Sequence, residues 1–162
     1  MAEVEVRRRE ACKVAYIQHI GDYDTIPFDV YLSELHAWVG KAKVMPGALP
    51  LALFYDSPQV TPPGRRRVEI AITFEGQAKP EGRIRIRELP AMEVAVIRHG
   101  GPSAEYPATY RKLTKWIASN GYEWDGPAIE VYTRQPRVVA RKTVIHAVVQ
   151  APVRKKLGTL AN

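Results

Sequence analysis

Apolar and polar residues alternate with a period of two in "EVEV" (Glu3 to Val6), "VEIAITF" (Val68 to Phe74) and "RIRIR" (Arg83 to Arg87). That period predicts strands with one face buried. Elsewhere the period lengthens. Tyr31, Leu32, Leu35, Trp38 and Val39 form one helical stripe, and Tyr106, Tyr110, Leu113 and Ile117 form another at spacings of four, three and four. Gly121 after Asn120 is a helix stop, and Pro107 is tolerated in a first turn. The predicted elements are strands over 3–9 and 12–19, a helix over 27–41 and strands over 50–56 and 67–75. After the turn-rich link "KPEG" (Lys79 to Gly82) come strands over 83–89 and 93–99, a helix over 105–120 and strands over 127–133 and 142–150. The tail from Arg154, basic at first, is expected to fray.

The same order of elements occurs twice because the chain repeats itself. "VAYIQHIG" (Val14 to Gly21) matches "VAVIRHGG" (Val94 to Gly101) at five of eight positions. Val4, Val6 and Arg7 align with Ile84, Ile86 and Arg87, and Leu35 and Trp38 with Leu113 and Trp116. Further on, Tyr55 aligns with Tyr132, and Val68 and Ala71 with Val144 and Ala147. The offset drifts through 80, 78, 77 and 76, as unequal loops would produce. The expectation is an α+β fold of two β-β-α-β-β halves, residues 3–75 and 83–152, related by a pseudo-twofold axis. Their strands should form an antiparallel sheet with two long helices packed on it. Residues 1–153 would form one domain, followed by the basic tail 154–162.

Composition changes this picture little. A chain of 162 residues with 46% hydrophobic and 25% charged residues has material for a core. No apolar run approaches a membrane span, and the N-terminus lacks the apolar block of a signal peptide. The single cysteine, Cys12, excludes an internal disulfide framework and a multi-cysteine metal site. A cytoplasmic setting is the default expectation. The net charge of +7 raises nucleic acid as a partner. The basic clusters (Arg7 to Arg9, Arg65 to Arg67, Arg83/Arg85/Arg87, Arg154 to Lys156) are scattered, mostly beside predicted strands, and read as solvated faces. The expectation is therefore no nucleic acid bound by this chain alone, and no membrane.

One residue resists the pattern. In "DGPAIEVYT" (Asp125 to Thr133), alternation places Ala128, Glu130 and Tyr132 on one strand face and Ile129 and Val131 on the other. Base rates put a glutamate on the wet face. The repeat points the other way, since at the offset of Tyr55 and Tyr132 the mate of Glu130 is Leu53. A carboxylate held where the twin carries leucine is costly unless paired. Along its own strand only Arg134 is a candidate partner, so the partner would come from elsewhere in the fold or from a ligand.

"VAYIQHIGDYDTI", "LALFYDSP", "VAVIRHGGP" and "W-x4-GYE-x2-GPAIEVY", together with the duplication, resemble the GyrI-like small-molecule-binding domain family. This is the fold of the DNA gyrase inhibitory protein and of the effector-binding domains of AraC- and MerR-type regulators. The resemblance covers nearly all of residues 3–152. It implies a groove between the halves with Glu130 at its floor and aromatic walls, taking lipophilic, frequently cationic, aromatic compounds. It also implies that some free-standing members hydrolyse cyclopropane-bearing toxins with this glutamate and an aromatic hydroxyl. With strands beginning near residue 3, no room for a DNA-binding module is expected.

The candidate ligand-binding residues are then Glu130, Tyr132, Tyr55, Tyr16, Trp38, Trp116, Tyr110 and Leu53; Glu130 and Tyr132 would be catalytic if the protein is an enzyme. Tyr132 shares the face of Glu130, Tyr55 is its repeat mate, and Tyr16 stands where the second copy has Val96. Trp38 and Trp116 occupy equivalent helix positions, serving either a groove or the core of each half, and Tyr110 carries the same ambiguity. Aromatic walls suit flat or cationic ligands. His19 and His99 end equivalent strands and read as turn supports. His36 and His146 have no metal spacing, and Cys12 has no nucleophile signature. No metal or cofactor is expected. The leading function is sequestration or sensing of lipophilic aromatic molecules. Alternatives are a small hydrolase using the same glutamate and a protein-interaction inhibitor of the gyrase-inhibitor type, which leaves a protein partner open. Haem binding would need an axial ligand on a surface helix, where only His36 is predicted.

Overall fold

The computed structural model describes residues 3–157. Along the chain come β1 (Glu5–Arg9), β2 (Cys12–Ile20), α1 (Phe28–Ala42), β3 (Met45–Pro46), β4 (Leu51–Phe54), β5 (Arg67–Glu75) and β6 (Arg85–Leu89). Then follow β7 (Met92–Pro102), α2 (Tyr106–Ser119), β8 (Tyr122–Trp124), β9 (Ala128–Tyr132), β10 (Arg137–Val139) and β11 (Lys142–Lys155). Every paired strand is antiparallel. This is an α+β fold with two helices. The ten longer predicted elements are present within a few residues of their expected limits, and the short strands β3, β8 and β10 are additional. The expected frayed tail from Arg154 is corrected at its start: Arg154 and Lys155 pair with Glu123 and Tyr122 as the end of β11. Residues 158–162 of that tail lie outside the described residues.

The chain forms two compact units: residues 1–9 with 92–162, and residues 10–91. These differ from the contiguous halves 3–75 and 83–152 because the first strand of each half belongs to the other unit. In the unit of residues 10–91 the ladder runs β4-β5-β2-β6; in the other it runs β1-β7-β11-β9. The two ladders have one pattern, with β2 matching β7, β5 matching β11, β4 matching β9 and β6 matching β1.

Each helix buries one stripe. In α1, Tyr31, Leu35, Trp38 and Val39 are buried, and the Trp38 ring meets Phe74 edge-on at 5.3 Å. In α2, Leu113 and Ile117 pack with Ala95, Ile97, Val149, Ala151 and Val153 in the core of that unit. The Asn120 amide caps α2 on the Trp116 carbonyl at 3.0 Å. Gly121 follows at φ 79°, a left-handed conformation that glycine adopts without a Cβ penalty.

The ladders fix the repeat more firmly than residue matches do. Val14 pairs with Thr73, and its mate Val94 with Pro152, so β5 and β11 correspond at an offset of 79. Ala52 pairs with Ile70, and Glu130 with Val149, so β4 and β9 correspond at 78. The mate of Glu130 is therefore Ala52, not Leu53, and the mate of Tyr132 is Phe54, not Tyr55. Val68 likewise corresponds to Ala147, and Ala71 to Gln150. Directly paired antiparallel residues point to one face. Ala52 and Glu130 thus lie on the helix-bearing face of their sheets, while Leu53 and Tyr55 lie on the opposite one.

Candidate functional site

Glu130 is 5% exposed. It sits in the middle of β9 opposite Val149, a residue of the core beneath α2. Two phenols donate to its carboxylate: Tyr110 of α2 to Oε2 at 2.5 Å, and Tyr132 of β9 to Oε1 at 2.9 Å. The hydroxyl of Tyr106, one turn before Tyr110, is buried beside the same group without a hydrogen bond of good geometry. Among the described residues no basic side chain forms an ion pair with Glu130. Arg134, the expected strand neighbour, is exposed and does not pair with it.

Burial pushes the Glu130 carboxyl above its ordinary range, and the hydroxyls of Tyr110, Tyr132 and Tyr106 pull it back without cancelling that effect. Tyr132 is raised well above an ordinary phenol by burial and then by the charge of Glu130; Tyr106 is raised for the same two reasons. The site thus holds its carboxyl ready to take a proton while surrounding it with donors that stay protonated.

The corrected register shows how local this chemistry is. Tyr106, Tyr110, Glu130 and Tyr132 have as twins Phe28, Leu32, Ala52 and Phe54. Two of those exchanges remove only a hydroxyl from a ring. The helix offset of 78 is supported independently: His19 Nδ1 meets the Tyr31 hydroxyl at 2.7 Å, and His99 Nδ1 meets the Thr109 hydroxyl at 2.8 Å. One copy is apolar at all four positions, and the other carries a carboxylate and three phenols together. His99 also stacks on Tyr106 at 4.2 Å with its plane tilted by 15°, which fixes the ring beside Glu130.

The remaining candidates separate. Tyr55 and Tyr16 belong to the unit of residues 10–91, on the sheet face away from α1. There the Tyr55 hydroxyl donates to Glu69 Oε1 at 2.8 Å, and Arg87 bonds the same oxygen at 2.5 Å. Arg87 also donates to the Tyr55 oxygen at 2.9 Å and lies 4.7 Å over the Tyr16 ring. Burial, then Glu69, pushes the Tyr55 phenol up to about 12. Leu53 pairs with Glu69 and is 1% exposed. Trp38 donates its indole N–H to the Lys79 carbonyl at 3.1 Å and lines a shallow cavity of about 260 Å³ with Lys41 and Glu81. Those two side chains pair with each other, and Lys79 also lines the cavity, which belongs to the unit of residues 10–91. Trp116 is half-buried and stacks on Tyr122 at 6.1 Å.

Sequence reasoning did not single out Tyr106, Glu69 or Arg87 as site residues. Tyr106 had a signal, its spacing of four from Tyr110. The Glu69–Arg87 pair had none, because the two strands are joined through β2. Among the described residues no group of histidine, cysteine and acidic side chains could hold a metal ion, and no helix is long and apolar enough to cross a membrane.

The chain belongs to the GyrI-like small-molecule-binding domain family, whose model matches residues 2–153. No curated protein sequence matches it. Among solved structures it is similar to the C-terminal domain of EcmrR, with a TM-score of 0.79 at 21% identity over 96% of this chain and 99% of that one. A hydrolase from Listeria innocua has a TM-score of 0.70 at 12% identity, covering 94% and 92% of the two chains. SAV2435 bound to tetraphenylphosphonium has a TM-score of 0.58 at 14% identity, covering 94% of each. At such identities the likeness is one of fold.

Proposed function

We propose that the protein binds lipophilic aromatic cations, with Glu130 as their counter-ion and Tyr106, Tyr110 and Tyr132 around it. The observation that carries this reading is a carboxylate 5% exposed whose hydrogen-bond partners are phenols and which, among the described residues, has no basic side chain as a partner. A buried charge without a counter-ion is costly, and a bound cation removes that cost. The rings add a negative quadrupole face that favours the same ligand. Tetraphenylphosphonium on the similarly folded SAV2435 is a ligand of this class. Since Glu130 is so little exposed, a ligand reaches it only if the α2 tyrosines rotate, an induced fit that hydrophobic contact with the rings would drive.

Tetraphenylphosphonium should quench the intrinsic fluorescence of the protein saturably. Glu130→Gln should weaken that binding at least tenfold, about 1.4 kcal/mol. Equal affinity in the two proteins would remove Glu130 as the counter-ion.

A second reading is hydrolysis. It draws on a carboxyl of raised proton affinity beside phenol donors, a combination suited to general acid catalysis, and on the likeness to the Listeria innocua hydrolase. Glu130 would protonate one ring carbon as the cyclopropane C–C bond breaks, water would add to the other carbon and return its proton to Glu130, and Tyr132 or Tyr110 would orient the carboxyl. Mass spectrometry of cyclopropane-bearing compounds after incubation tests this: products that persist with Glu130→Gln would exclude the carboxyl as the acid.

A further inference from the structure

The two compact units carry different charge. Residues 1–9 and 92–162 contain fourteen lysines and arginines against seven carboxylates, a net of +7, whereas residues 10–91 contain ten of each, a net of zero. The whole charge excess of the chain therefore resides in one unit, an asymmetry that points to a polyanionic partner. Ion pairs occur in both units; in the basic one Arg7 pairs with Glu5, and Arg154 with Glu123 and Asp125. In the neutral unit Lys41, Arg66, Arg67, Arg83 and Arg87 each have a carboxylate partner. In the basic unit no acidic side chain follows Glu130 in the sequence.

Two groups of cations in that unit are exposed and form no ion pair among the described residues. The first is on the hairpin of β10 and the start of β11, where Val139 pairs with Lys142 across the turn. Arg137, Arg141 and Lys142 are exposed there, as is Arg134 in the segment leading into β10. Its turn places Ala140 at φ 50° and Arg141 at φ 65°. Left-handed hairpin turns favour Asn-Gly because a Cβ is strained in them. This one tolerates the strain and keeps a guanidinium at its tip. The second group is on the outer face of α2. Arg111, Lys112 and Lys115 are exposed while Leu113 and Ile117 are buried, and no acidic residue occurs in the helix. The sequence leads one to expect no helix with a basic stripe, and α2 corrects that expectation, because its three cations share the face turned from the core. Hairpin and helix adjoin the same end of the sheet: Val144 at the hairpin base pairs with Pro102, where β7 ends before the short turn into α2.

We propose that this hairpin and the outer face of α2 bind a nucleic-acid duplex through its phosphates, without reading sequence. This departs from the expectation of no nucleic-acid contact. Cations spread over a strand pair and a helix match a row of phosphates, and arginine grips phosphate in bidentate fashion. A lipid surface fits less well. The apolar side of α2 is committed to the core, and the exposed apolar residues of the hairpin are Val138 and Val139, too little to insert.

Fluorescence anisotropy of a labelled 25-base-pair DNA duplex with the whole protein tests this. Seven phosphate contacts predict a slope of log affinity against log salt of about −6, and so a loss of roughly 10³-fold or more between 50 and 200 mM salt. R137Q/R141Q/K142Q and R111Q/K112Q/K115Q should each flatten that slope by about 2.7. Arg65→Gln, in the neutral unit, should not. The charge-conserving R137K/R141K/K142R separates charge from hairpin structure and should keep the slope, and the α2 variant remains decisive if the hairpin variant melts early. Phosphatidylserine vesicles and polyglutamate at equal charge complete the comparison. No duplex binding at 50 mM salt, a slope unmoved by both glutamine variants, or tighter binding to the vesicles or to polyglutamate would overturn the proposal.

Discussion

The buried carboxyl of Glu130 adds its own pH dependence to the stability of this protein. The folded-state proton affinity of Glu130 is raised by burial above that of the unfolded chain. Its contribution to stability is therefore fully present below the unfolded carboxylate pKa, about 4.3, and is lost as pH rises through the folded value. Glu130→Gln cannot ionise, so in the absence of ligand the variant should gain on the wild type as pH rises from 4 to 8. A tenfold change in proton affinity corresponds to about 1.4 kcal/mol, and each kcal/mol moves the melting temperature of a chain this size by about 2–4 °C. Calorimetric melting of both proteins across that range reads the difference; a gap that stays constant with pH would show that Glu130 ionises as freely folded as unfolded. The burial of this residue was inferred from the repeat by matching it to Leu53, and the ladders match it to Ala52. Ala52 is buried as Leu53 is, so either mate places Glu130 in the interior. The shared face of Tyr132 and Glu130 was legible from alternation alone. The approach of Tyr110 was not, since it needs the helix placed over the strand.

Among the elements, α2 does two jobs, closing the core with Leu113 and Ile117 and presenting Tyr106 and Tyr110 to Glu130. Leu113→Ala should therefore cost about 2–5 kcal/mol, whereas Lys112→Ala, one residue away on the exposed face, should fall within about 0.5 kcal/mol of wild type. Urea unfolding measures both, and comparable losses would mean that α2 is not packed as described. Helices and long strands were readable because their periods persist over many residues. The errors fell on the short strand β4 of Leu51–Phe54. Leu51, Ala52 and Leu53 are all buried, so alternation gives no register there, and one identical tyrosine was enough to pull the alignment by a residue. A slip of one residue exchanges the two faces of a strand. That slip placed Tyr55 and Leu53 with the carboxylate, when Tyr55 instead serves the Glu69–Arg87 pair. Nor could alternation show that β1 and β6 join ladders outside their own halves, because an edge strand carries the same pattern wherever it docks.

At the scale of the whole molecule, ligand, proton and fold share one free-energy balance. A cation bound at Glu130 favours the charged carboxylate, so it lowers a proton affinity that burial has raised. Linkage then requires deprotonation to assist cation binding by the same factor. Affinity for tetraphenylphosphonium should rise with pH, by at most one decade per pH unit for one proton, until free Glu130 is fully ionised, and then level off. Through the rising part, binding should release protons, visible as an apparent enthalpy that depends on the ionisation heat of the buffer. A neutral ligand of similar outline, triphenylphosphine oxide, should show neither the rise nor the release. Salt should weaken cation binding less than it would at an exposed acidic patch, because a buried pair is poorly screened. It should weaken duplex binding at the basic hairpin steeply, which distinguishes the two sites in one protein. In Glu130→Gln the pH dependence of tetraphenylphosphonium binding should vanish along with most of the affinity. Parallel pH profiles for the cation and its neutral counterpart in the wild type would show that the carboxylate does not anchor the charge, and acid catalysis would then be the better reason for a glutamate among three tyrosines.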